Sequence, residues 1–82
     1  METRLMLSPE EHNQLNDIFE YHAPSGNDIE KYRALRNRAR WFAESIIALC
    51  PPSDDRTAAI RKVREALMTA NASIALEGRS IT

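Results

Sequence analysis

Two groups of side chains in this sequence have the types and spacing that chemistry requires. The first is Tyr21-His22-Ala23-Pro24-Ser25-Gly26, where two planar side chains stand next to each other beside a rigid proline. It lies just ahead of a helix start at Asn27 or Asp28, whose free backbone N–H groups can receive an anion. The second is a basic stripe. Arg33, Arg36 and Arg40 recur at i, i+3 and i+7 and so align on one side of a helix, with Lys31 and Arg38 close by. Guanidinium forks match the oxygens of phosphate. Aromatic rings stack on bases, and a histidine can bond to a base edge, as in single-strand nucleotide binders. Together the two groups suit a nucleotide.

Each feature also has an ordinary structural reading. A tyrosine at a helix end commonly packs half-buried, and a neighbouring histidine satisfies the last carbonyls. The arginine stripe can be a solvated face paired with Glu30, Glu44 and the acids of another helix. Trp41 and Phe42 fall mid-helix and read as core or interface anchors rather than base platforms. His12 reads as an exposed first-turn residue.

Catalysis finds little support in the residues. Glu10-Glu11 and Asp54-Asp55 are explained by capping and by compensation of the helix dipole. No carboxylate or histidine set falls at metal-ligand spacing, no glycine-rich phosphate loop follows a strand, and Cys50 beside Pro51 has no activating base. The expectation is a binding protein with no cofactor and no metal, not an enzyme.

The elements that must position these groups are helical. Ser8-Pro9-Glu10-Glu11 is a capping box with proline at N1, and Leu7 precedes it as a staple, within a small apolar cluster of Leu5, Met6 and Leu7. The helix that starts there carries Leu15, Ile18 and Phe19 at helical spacing, and Pro24 sets its end near Glu20 or Tyr21. A second helix, capped at Asn27 or Asp28, has an apolar stripe from Ile29 through Tyr32, Leu35, Ala39, Phe42 and Ile46 to Leu49, and stops at Pro51-Pro52. Ser53 caps a third, whose stripe runs from Ala59 or Ile60 through Val63, Ala66, Leu67 and Ala70 to Ile74 and Ala75, with Gly78 as the residue past its end.

Two long helices of nearly equal length joined by a short connection pack antiparallel as a hairpin, and the first helix can lie across one end. The chain reads as one all-α domain spanning residues 1–82, with an extension over 1–7 and a tail over 79–82. At 82 residues and with a single cysteine it lacks any covalent staple, so self-association is expected to supply the missing stability. The alanine-rich third helix permits close approach of another helix.

A net charge of −1 denies the chain the broad electrostatic footprint of a duplex-DNA binder, so any anion is held locally. No apolar run is long enough for a membrane span, and Met1 to Leu7 is too short and too acidic for a secretory signal, which makes the cytosol the default.

Phe19-Glu20-Tyr21-His22-Ala23-Pro24, then Gly26, then Glu30-Lys31-Tyr32-Arg33-Ala34-Leu35-Arg36, and late in the chain Ala70-Asn71-Ala72-Ser73-Ile74-Ala75, resemble the phage-encoded anti-CBASS sponge family. These are small helical-hairpin proteins that sequester cyclic oligonucleotide immune signals, and the resemblance runs from Ile18 to Gly78. It implies a homo-hexamer in the host bacterial cytosol. Cyclic dinucleotides such as cyclic GMP-AMP would be held unhydrolysed between subunits, and in some members cyclic trinucleotides occupy separate sites. On this resemblance Tyr21 stacks on a base and Arg36 meets the phosphates. His22 and Arg40 join them on chemistry alone. The competing expectation is a helical adaptor that binds another protein through its alanine-rich helix, with the arginine stripe facing acidic side chains.

Overall fold

The computed structural model describes residues 6–77. Within them the chain forms three helices, α1 (Pro9–Phe19), α2 (Asp28–Leu49) and α3 (Asp54–Leu76), and no strand. The capping box at the start of α1 is complete. Ser8 Oγ accepts from the Glu11 N–H at 3.1 Å, and Glu11 Oε1 accepts from the Ser8 N–H at 2.9 Å.

Helix α1 ends at Phe19, slightly ahead of the expected boundary, with Glu20 already extended. The cause is local. His22 Nε2 donates to the carbonyl of Asp17, the acceptor that the next helical N–H, from Tyr21, would have used. The chain therefore leaves the helix before Pro24 exerts its own restriction.

Between α1 and α2, Gly26 adopts φ +55°, the left-handed region that favours glycine, although a Cβ there would meet nothing within 4 Å. Backbone conformation, not space, selects glycine at this turn. Asn27 is the N-cap residue of α2, yet its side chain makes no capping bond. Asp28 does comparable work from inside the helix: its Oδ2 accepts from the Ser25 N–H at 3.1 Å while its own N–H donates to the Ser25 carbonyl at 3.0 Å.

The α2–α3 connection is held at three points. Cys50 is extended, as a residue before proline must be, so α2 stops there. Ser53 Oγ accepts from the Arg56 N–H at 3.1 Å and donates to the Pro51 carbonyl at 3.2 Å. Arg56 Nη1 then reaches back to the Cys50 carbonyl at 3.1 Å. Since α2 has no basic residue in its last turn, this guanidinium from α3 serves the negative end of the α2 dipole. Helix α3 ends on Glu77, which takes the left-handed conformation with φ 53°. Gly78, expected past that end, lies outside the described residues, as do Leu5 and the 79–82 tail.

Helices α2 and α3 pack along their length as the expected antiparallel hairpin, whereas α1 makes only marginal contact with other helices and does not lie across the end as a packed layer. Its apolar face is short, and Phe19 is 80% exposed. The consequence is a hairpin without a closed core. Among the described residues only Ile46 is buried, at 8% exposure, while Trp41, Phe42, Leu49 and Met68 all remain exposed. The radius of gyration is 17.8 Å, against about 12 Å for a compact domain of this length. Two helices offer each other one stripe apiece, and nothing among the described residues covers the remaining apolar surface of this pair.

Candidate nucleotide-binding site

Arg36 and Arg40 line one face of the hairpin together. They flank a shallow groove of about 190 Å³ whose floor is Ala39, Ala43, Ile60, Val63 and Leu67. The small side chains of Ala39 and Ala43 keep that floor low, and its apolar character suits a flat ring. Across the groove α3 contributes a third cation, Arg64. Sequence spacing within α2 could not reveal Arg64, because it belongs to another helix. The hairpin register could have done so: Ala39 and Val63 border the same groove, which sets Arg64 level with the stretch from Arg36 to Arg40.

The three guanidiniums differ in what they already hold. Arg40 Nε pairs with Glu44 Oε2 at 3.2 Å within α2, a solvent-exposed bridge that contributes little stability. Among the described residues Arg36 and Arg64 have no ion-pair partner, and Glu30, the other acid expected to neutralise the stripe, pairs with none of it. Arg33 is exposed at the N-terminal end of the stripe.

Tyr21 and His22 occupy the extended link between α1 and α2, separated from Arg36 by the first turns of α2. Tyr21 is 84% exposed, an open ring projecting from an ordered link. His22 is half-buried, and its Nε2 is engaged with the Asp17 carbonyl, which requires the proton on that nitrogen. The structure thus brings Arg36 and Arg40 together in one groove and leaves Tyr21 and His22 outside it in the same chain. The groove is smaller than the ~300–1,000 Å³ of pockets that enclose a ligand.

A larger, open groove of about 550 Å³ lies on the opposite flank of the hairpin, with Leu35, Phe42, Ile46 and Val63 in its floor and Arg38 and Lys62 at its margin. Its lining is almost wholly apolar, so it offers few partners for base edges and resembles an uncovered packing surface. Asn71, one residue beyond Ala70 at the end of this groove, has a buried Oδ1 with no hydrogen-bond partner. Cys50 is free and exposed. Among the described residues no group of three or more His, Cys, Asp or Glu side chains is placed to hold a metal ion, and no helix is long and apolar enough to cross a membrane.

A short capped helix, an ordered aromatic link and an antiparallel hairpin with a basic groove define a small all-α helical-hairpin protein. The chain belongs to the Acb2/Tad1 hairpin-domain family, whose model matches residues 11–75, more than three-quarters of its length. The match spans the Tyr21 link, the whole of α2 and α3 up to Ala75, and therefore every residue of the basic groove. It agrees with the family resemblance read from Phe19–Pro24 with Gly26, Glu30–Arg36 and Ala70–Ala75. The chain has no significant match among curated proteins or among solved structures.

Proposed function

We propose that this protein is a phage-encoded immune-evasion sponge. It binds cyclic dinucleotides such as cyclic GMP-AMP, holds them without hydrolysis and so keeps the host's CBASS effector inactive. The observation that carries this reading is the Acb2/Tad1 hairpin match, because residues 11–75 include both the open Tyr21 ring and the Arg36–Arg40–Arg64 groove. A cyclic dinucleotide presents two phosphate charges and two base faces related by approximate two-fold symmetry. One tyrosine and one or two arginines from each of two subunits would match it group for group.

The incomplete site and the uncovered apolar surface point the same way. A groove of about 190 Å³ with its stacking ring elsewhere needs a second chain to become a pocket, and a hairpin with Ile46 as the sole buried residue among those described gains most from burying the rest against copies of itself. Our reading is a homo-oligomer, a hexamer by family analogy, acting in the host bacterial cytosol, with cyclic trinucleotides as candidate ligands at separate sites. Sequestration needs binding groups only, and no residue is assigned a catalytic role.

Thermal unfolding with a panel of cyclic di- and trinucleotides tests this. A ligand at a hundred times its dissociation constant stabilises by about 2.7 kcal/mol, which for a chain of this size raises Tm by roughly 10–20 °C. At least one cyclic dinucleotide should do so. A panel without any shift contradicts the sponge and favours a helical adaptor that binds a protein partner.

A further inference from the structure

The link between α1 and α2 is restrained residue by residue, and one of its restraints is a side-chain bond that no regular secondary structure requires. From the α2 side, Asp28 holds Ser25 through its carboxylate at 3.1 Å and through its own N–H at 3.0 Å. Pro24 fixes its own φ and disfavours the helical region at Ala23. From the α1 side, the Glu20 N–H donates to the Asn16 carbonyl at 3.0 Å. Tyr21 and His22 lie between these fixed points. Packing does not hold them, because the Tyr21 ring is 84% exposed and α1 makes only marginal contact with other helices. The His22 ring does, with Nε2 donating to the Asp17 carbonyl.

We infer that His22 is a positioning residue for Tyr21: its bond to Asp17 sets the backbone that carries the tyrosine ring, so that the ring stands in place before a ligand arrives; the inference rests on the stacking role given to Tyr21 in the proposed function. The Asp17 carbonyl is one of the last four of α1, which have no helical N–H to receive. Helix α1 has no basic residue in its last turn to serve them. A ring donor five residues further on does so by turning the chain back. Tyr21 is thereby enclosed between two residues, Glu20 and His22, that both bond to the carbonyls of one helical turn, at Asn16 and Asp17. Its backbone loses freedom when the chain folds, so binding does not carry that entropy cost. The same bond occupies Nε2 and keeps that nitrogen from a base edge.

Backbone amide relaxation of the ligand-free full chain tests the bond by itself. The Tyr21 order parameter should fall from about 0.85 in the wild type to below about 0.6 in His22→Ala. His22→Gln retains a side-chain N–H donor and should stay near the wild type. Equal order parameters in the wild type and His22→Ala would overturn the positioning role with no ligand present. Titration with cyclic GMP-AMP then tests the consequence. His22→Ala should bind about five- to thirtyfold more weakly, the cost of ordering one residue's backbone, and His22→Gln within about threefold of the wild type. In a Tyr21→Ala background His22→Ala should cost less than about twofold, because no ring remains to be positioned. A loss that persists at full size in that background is what a direct ligand contact or general damage to the chain produces, and it overturns the inference. A wild type that does not bind cyclic GMP-AMP, or a Tyr21→Ala variant that binds as the wild type does, overturns the stacking role beneath it and leaves the bond to Asp17 standing.

Discussion

Replacing Tyr21 with alanine is expected to weaken cyclic dinucleotide binding by about thirtyfold or more and to leave helix content unchanged. The two halves of this expected result have separate physical sources. The ring is 84% exposed and makes no hydrogen bond or ring contact among the described residues, so its removal costs the hairpin nothing. In the complex, each stacked base contributes about 1–3 kcal/mol. A two-fold pocket uses the ring twice, which places the loss at roughly 2 kcal/mol even at the low end. Tyr21→Phe retains the stacking surface and is expected to bind within about threefold of the wild type. Isothermal titration of the three proteins against one cyclic dinucleotide checks this. Equal affinities for the alanine variant and the wild type would remove Tyr21 from the site.

The second large effect is at Arg36. Arg36→Ala is expected to weaken binding by about 10- to 150-fold, the range of a lost hydrogen-bonded charge contact at roughly 1.5–3 kcal/mol. Because Arg36 has no ion pair among the described residues, the measured loss reflects ligand contact rather than broken internal bonds. Arg36→Lys keeps the charge and loses the fork, so it should recover only part of the affinity. Repeating the titrations at increasing salt separates charge from shape. The wild type should lose affinity with salt more steeply than Arg36→Ala, and parallel salt dependence would exclude a phosphate contact. Arg40 is a poorer probe, since its substitution also releases Glu44.

Much of the fold was legible because its signals are local. The Ser8 capping box, the Pro51-Pro52 stop and the Ser53 cap each specify a backbone conformation within a few residues, and all three elements begin or end where those residues stand. The stripes of α2 and α3 likewise predicted the hairpin. What the sequence left hidden depends on tertiary placement. Arg56 reaches the Cys50 carbonyl around a proline turn, His22 ends α1 by bonding to Asp17, and α1 fails to dock because its apolar face is too short to compete with solvent.

The candidate site divides in the same manner. Arg36 and Arg40 could be paired from helical spacing alone, and they do share a groove. Arg64 joins them only through the register of the hairpin. Tyr21 could be recognised by type, as an aromatic residue in a rigid link, but its distance from the arginines is set by three-dimensional structure. The separation sharpens the physical picture: a single chain presents an exposed tyrosine ring and a cationic groove apart from each other, and the proposed pocket needs both. Joining the two by symmetry requires no residue that the chain lacks.

Native mass spectrometry with the same ligands added, followed by heat release and analysis of what comes off, tests the sponge most directly. The account predicts an oligomer carrying cyclic dinucleotide at a fixed ratio, with the released ligand unchanged in mass. Ligand-free assemblies across the whole panel, or a released dinucleotide heavier by one water, would contradict it.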